Sequence, residues 1–468
     1  HVVGGFFATE NAKSELLLQL GRLHLDDVEV AAARQELLDV EVTRARAVHM
    51  QLDTANLQRQ AAAAKRRFLD ARRVYPRFAG LEEHADYGAQ LESFVSGLAS
   101  EGRVLVHYNI HDGRIVGYWV AEDGSVRGWT QGDCVDLQTA QAAINPWLLG
   151  THGDVRALLS AVVGFAEELD AALADVEATE LVIVPWSLLY AVPFGALQLG
   201  GGILSDKYRV SYAPSIEILR RLAFETRLDR SGVELIAAHG GSLPWADAEV
   251  AAAEAVYGKD ANLVPDGSDR EKVVEALRAG RLIHVAAHGA SWGNDHAASA
   301  IRLHENGGGD EYLTAAEVHR DIDLRGAELI LLAACESGRG ATGNTGIELY
   351  NGLDGAFLAQ GARAVVSTMW PVWDFASFLF MTNLHTQLQT GSPVGAAFDS
   401  SVTLLRSGEY RCIEPNNALG RALDAGSSAW RREIDRIGDR YTDPYVWAPF
   451  RLSGAHWLSH PLNSEAAA

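Results

Sequence analysis

The sequence predicts an α/β protein built on a parallel sheet, with a helical segment ahead of it. Three observations carry this. Short apolar runs at 235–238, 282–287, 329–334 and 364–368 alternate with helical stretches at 246–257, 270–279, 314–319, 346–360 and 375–388. Repeated βα units of this kind form a parallel sheet covered on both faces. Residues 22–75 contain neither Gly nor Pro and are rich in Ala, Leu, Arg, Glu and Gln, all strong helix formers. Finally, two of the apolar runs end on reactive side chains, His288 and Cys335, with small residues close behind.

Bulk properties narrow the function. The chain has 468 residues, enough for two to four domain-sized units, and 48% of them are hydrophobic. A formal net charge of −21 argues against general nucleic-acid binding, which needs a basic stripe. Three cysteines, Cys134, Cys335 and Cys412, make no disulfide framework and point to a reducing, cytoplasmic compartment. No run of about 18 apolar residues and no signal peptide is visible, so no membrane span is expected.

The elements follow in order. Leu38, Val42, Ala45, Val48, Leu52 and Ala55 step by threes and fours along one helical face. One long helix or a helical hairpin fits, closed by Pro76 and Gly80, and a shorter helix follows over 81–98. Composition changes near Ser100. Residues 104–108 and 115–120 read as strands around a His111-Asp112-Gly113 turn, 154–174 as a helix and 181–185 as a buried strand. The second α/β alternation begins near Gly232, and Thr314-Ala315-Ala316-Glu317 has the spacing of a capping box. The expected units are a helical arm over 1–99 and two α/β lobes over 100–231 and 232–468.

In a parallel sheet, chemistry gathers beyond the carboxyl ends of strands. Neighbouring strands ending at His288 and Cys335 would set an imidazole beside a thiol, the arrangement a cysteine nucleophile needs. The backbone N–H groups of Gly289 and Cys335 are candidates for an oxyanion hole. The bland alternative is a buried structural Cys after a core strand. His284 lies inside its apolar run and reads as a satisfied core histidine. The loop from Gly338 to Thr345 resembles a phosphate loop, but Asn344 stands where the Lys should be. His296, His304 and His319 lack zinc-site spacing, and residues 305–311 lack calcium-loop periodicity. No metal and no cofactor is expected.

At these residues the chain resembles CHAT-domain proteins, the caspase-like cysteine peptidases of clan CD, which are also separase-like. The shared motifs are His284-Val-Ala-Ala-His288-Gly289, Leu313-Thr-Ala, Ala333-Ala-Cys335-Glu-Ser-Gly338, Ala356-Phe-Leu-Ala-Gln-Gly-Ala362 and Ser367-Thr-Met-Trp370-Pro-Val-Trp-Asp374. Ser242-Leu-Pro-Trp-Ala-Asp-Ala-Glu249 and Tyr445-Val-Trp-Ala-Pro-Phe450 agree as well. Cys335 follows His288 by 47 residues (335 − 288), close to the roughly 50 that separate the caspase pair. The resemblance implies a caspase-like sandwich of a degenerate and a catalytic lobe, with His288 and Cys335 as the dyad. It also implies a protein substrate, an upstream sensor or activator, and a regulated prokaryotic defence or signalling role. The rival is a non-catalytic scaffold on the same fold. Ala287, Ala333 and Ser337 depart from the family pattern without altering the dyad, while the TPR array expected upstream is absent. The arm is expected to pack on the first lobe or to dock a sensor. In a caspase-like sheet the loop 370–374 lines the pocket before the scissile bond. There Trp370 and its neighbours would form apolar walls. Asp374 would either face a basic side chain or cap the helix that follows.

Overall fold

The computed structural model describes residues 28–74, 81–111, 114–130, 141–144, 146, 154–292, 295–304, 310–334 and 352–462. Its N-terminal helices are α1 (Val28–His49), α2 (Ala55–Val74) and α3 (Leu81–Ser100). The Gly- and Pro-free stretch is thus a hairpin rather than one helix. It turns at Gln51, whose φ of 55° is left-handed, and Asp53 accepts the Ala55 N–H at 2.9 Å to start α2. Val30 and Leu37 pack on Ala64 and Phe68 to hold the hairpin together. Helix α3 lies on the first strands, where Leu91 and Val95 join Leu105 and Val120 in one cluster.

Among the described residues, thirteen strands form one sheet. Strands β1 (Arg103–His111), β2 (Arg114–Val120) and β3 (Val126–Thr130) form an antiparallel meander, and β4 (Glu180–Val184) and β5 (Arg209–Tyr212) extend it in parallel from β1. The helix expected over 154–174 is two helices, Val155–Ala161 and Gly164–Ala172. The second half supplies β6 (Val233–Ala238), α4 (Pro244–Tyr257), β7 (Ala261–Val264), β8 (Leu282–Trp292), β9 (Asp295–His304), β10 (Asp310–Thr314), α5 (Ala315–Asp321), β11 (Leu329–Ala333), α6 (Leu353–Ala359), β12 (Ala364–Thr368), α7 (Asp374–Gln389) and β13 (Phe450–Gly454). The order is β10-β9-β8-β11-β12-β13-β5-β4-β1-β2-β3, with β6 also on β8 and β7 outside β6. Strand β13, from the end of the chain, runs antiparallel to β12 and parallel to β5, and so joins the two halves.

The central strands are apolar on both sides. Leu329 and Leu331 enter one core and Ile330 and Leu332 the other, the period of two that a doubly covered sheet imposes. Strand β8 departs from expectation. Its parallel pairing with β6 and β11 ends near Ala287, but the strand continues: His288 pairs with Arg302 and Gly289 with Ile301 of β9, antiparallel. His288 therefore sits where the parallel sheet gives way to a hairpin.

The α1–α2 hairpin packs on the second half, against β9, β10 and α5, and not on the first lobe, one of the two roles expected of it. The reason is local. Val42 and Ala45 meet Ala298 and Ala316, whose small side chains let the helix come close. His49 stacks on Tyr312 with ring centroids 4.0 Å apart and contacts the Ala298 carbonyl at 2.6 Å. Glu317, fully buried, completes the capping box with Thr314 and receives Arg46 Nε at 2.8 Å and Arg270 Nη2 at 3.0 Å. Removing that carboxylate leaves two guanidiniums without their acceptor and the helix without its box. Glu317→Ala should therefore cost about 2–4 kcal/mol in chemical denaturation. Arg46→Ala, which exposes nothing buried, should cost about 1 kcal/mol or less.

Candidate functional site

The β8–β11 ladder pairs Ala286 with Ala333, two residues before His288 and two before Cys335. Residues 335–351 lie outside the described residues, so Cys335 and the loop 338–345 are placed only to that point; Cys134 lies outside as well. His288 is half-buried. Its Nε2 lies 2.7 Å from Ser242 Oγ, and Ser242 Oγ donates to the His239 carbonyl at 2.5 Å. The loop His239–Ser242, which follows β6, is held from beneath. Asp266 accepts the N–H groups of His239, Gly240 and Gly241 at 2.9, 3.0 and 3.0 Å. Burial opposes ionisation of Asp266, but these N–H groups and His239 keep its carboxyl below the usual range. Gly240 and Gly241, at φ of 61° and 67°, adopt a conformation that other residues enter at a cost.

Beside Ala334 a cavity opens, lined by Leu243, Ala287, Ala333, Thr368 and Val372, with Glu249, Asp374 and Ser377 as its polar groups. Thr368 Oγ1 donates to the Ala334 carbonyl at 3.0 Å, which fixes the end of the strand that leads to Cys335. Asp374 is the first residue of α7, and its Oδ2 accepts the Trp245 N–H of α4 at 2.8 Å. It thus caps a helix 129 residues away in sequence and lines the cavity at the same time. Burial raises the Asp374 carboxyl to about 6; the Trp245 N–H opposes the rise, Glu249 and Asp247 add to it, and His239 offsets part of it. Trp370 is buried, its indole N–H spent on the Tyr445 carbonyl at 2.8 Å, and it is not among the residues lining the cavity. Trp373 is 46% exposed.

Beneath the cavity runs a buried polar chain. Ser377 donates to Glu249 at 2.9 Å, and Glu249 Oε1 lies 2.7 Å from His284 Nε2. His284 Nδ1 lies 2.8 Å from His385 Nε2, and His385 Nδ1 lies 2.9 Å from the Tyr257 hydroxyl. Burial, then the neighbouring His284, holds His385 far below the ordinary histidine range. His284 is thus a satisfied core histidine that ties α4, β8 and α7 together.

The match to known sequences agrees with this architecture. The family model of the CHAT domain covers residues 155–455. The chain belongs to the CHAT-domain family. With that membership comes the caspase-like peptidase fold. Two crystal structures of the Saccharomyces cerevisiae separase–securin complex are similar to this CHAT protein. They share 9% and 11% sequence identity with it over 79% and 80% of its length, with TM-scores of 0.48 and 0.44. The CHAT protein spans 31% of the matched chain in each. No curated protein matches it. Among the described residues, no helix is long and apolar enough to cross a membrane.

Sequence reasoning passed over Ser242 and Glu249 as chemistry, although both lie in the Ser242–Glu249 motif of the CHAT family. It also left Ser377 unread, one helical turn after Asp374. The Asp374 carboxyl allows a signed test. Its folded pKa lies above the unfolded value of about 4, so the folded state favours the neutral acid. The resulting penalty is absent below about pH 4, grows as pH rises and levels off above about 6. Asp374→Asn, which keeps an acceptor for Trp245, should raise the melting temperature relative to wild type above pH 6 and lose that advantage near pH 4.

Proposed function

We propose that this CHAT protein is a cysteine endopeptidase in which His288 and Cys335 form the dyad. The observation that supports the reading is the β8–β11 register, which sets Ala286 beside Ala333, two residues ahead in sequence of His288 and of Cys335. His288 takes the thiol proton, and the Cys335 thiolate attacks the scissile carbonyl. The N–H groups of Gly289 and Cys335 hold the oxyanion, and the thioester forms as His288 protonates the leaving amine. Water then attacks with His288 as base, releasing the acid and the thiol. Replacing either Cys335 or His288 by Ala should abolish cleavage of a peptide library, with losses of similar size because the pair acts as a unit. Exposed Cys412 should be dispensable, and EDTA should have no effect. Cleavage surviving in Cys335→Ala sinks the dyad; inactivity of the wild type under every condition leaves the scaffold reading.

The cavity beside Ala334 takes a basic side chain before the scissile bond. Asp374 and Glu249 supply its charge, and its walls are apolar. A lysine or arginine entering there would also offset the burial that raises the Asp374 carboxyl and the repulsion from Glu249 that adds to it. Cleavage after Arg or Lys should strengthen as pH rises through about 6, where Asp374 ionises. In Asp374→Asn that limb should flatten and kcat/KM should fall by about 1–3 kcal/mol of transition-state binding. Preference for acidic or apolar residues overturns the assignment. The substrate is a protein in the cytoplasm, cleaved under the control of an upstream sensor or activator in a defence or signalling response.

A further inference from the structure

The loop between β6 and α4 does more than connect them. Ser242 Oγ lies 2.5 Å from the His239 carbonyl oxygen and 2.7 Å from His288 Nε2. A serine hydroxyl has one proton and two lone pairs, while a carbonyl oxygen accepts only. The proton must therefore go to His239, since two oxygens at this distance without one would repel. That leaves a lone pair of Ser242 toward His288, so His288 Nε2 must be the donor. A neutral imidazole with its hydrogen on Nε2 keeps its lone pair on Nδ1.

The structure assigns Ser242, on this reading of His288 as the base, as a positioning residue that selects the Nε2–H tautomer and makes Nδ1 the basic nitrogen. The selection is made by the backbone, with the hydroxyl as intermediary. The His239 carbonyl stays in place because its loop is tied at both ends. Asp266 collects three successive backbone N–H groups, and the His239 ring bonds Asp247 Oδ1 at 3.1 Å through Nε2 and receives the Gly241 N–H at 3.2 Å on Nδ1. His239 itself is buried, so the loop is anchored in the fold and not merely laid on it. When His288 takes a proton, the Nε2–H donor becomes part of a cation. The Ser242 oxygen and the carbonyl behind it are then aligned to stabilise that charge.

The test is 15N–1H correlation spectroscopy of the histidine-labelled full chain, with the His288 signals assigned by their loss in His288→Gln. Wild type should show the Nε2–H tautomer above the His288 pKa. Ser242→Ala should mix the tautomers, lower that pKa and reduce kcat/KM on a cleaved peptide about tenfold, the worth of one hydrogen bond. Ser242→Thr, which keeps the hydroxyl, should restore all three. A role limited to loop stability would change thermal melting without moving tautomer or pKa. An Nδ1–H tautomer in wild type, or no change of tautomer and pKa in Ser242→Ala, overturns the assignment. Because the spectrum needs no turnover, a fixed Nε2–H ring in a protein that cleaves nothing refutes the peptidase reading and keeps the positioning.

Discussion

Strand β8 has to satisfy its backbone after its parallel neighbours stop. Its pairing with β11 is recorded to Ala286 and with β6 to Ala287, and beyond that level neither side offers a ladder. Unpaired N–H and C=O groups at a half-buried edge are costly. The chain resolves this by folding β9 back antiparallel from His288 onward. The hairpin holds the His288 backbone at the rim of the sheet, with a loop from β6 on one flank and the end of β11 on the other. Replacing the hairpin by an open loop would leave the imidazole on a mobile tether. Helix α1 then rests on this hairpin through Ala298 of β9 and on Tyr312 of the adjoining β10. The His-bearing strand is thus braced on the sheet side by apolar ladders and on the outside by α1.

Charge is arranged with equal economy. The chain carries −21 overall, and two of its acidic groups, Asp374 and Glu249, line one small cavity, with Asp247 exposed close by. Each has a structural partner: Trp245 N–H for Asp374, His284 and Ser377 for Glu249, His239 for Asp247. The partners hold the carboxyls in place without neutralising all of them, which is what a pocket for a cation requires. A capping role and a pocket role for Asp374 are therefore compatible, because the helix it caps is α4 and not its own.

The βα rhythm was legible because buried parallel strands are short apolar runs bounded by helices. The strand over 364–368 and the helix over 270–279 fall on the observed Ala364–Thr368 and Arg270–Ala279. The capping box at Thr314–Glu317 was legible for the same reason: its signal lies within four residues. Strands β9 and β10 were missed because Asp295–His304 mixes Ala with polar residues and has no apolar alternation. Strand β13 was missed because its partners, β12 and β5, lie far back in the chain. The tie between Asp374 and Trp245, and the placing of Ser242 between His239 and His288, depend on tertiary approach that no local pattern encodes. The hairpin turn at Gln51 had no Gly or Pro to announce it.

The central claim is that Cys335 is a nucleophile beside His288 with an acidic pocket before it. The most direct measurement is intact-protein mass spectrometry after treatment with a peptidyl acyloxymethyl ketone bearing Arg or Lys next to the reactive carbonyl. One label should add per chain, mapped to Cys335 by peptide digestion, with none in Cys335→Ala and much slower labelling in His288→Ala. Labelling that falls on Cys412 or Cys134 instead, or that proceeds equally fast without His288, would contradict the account.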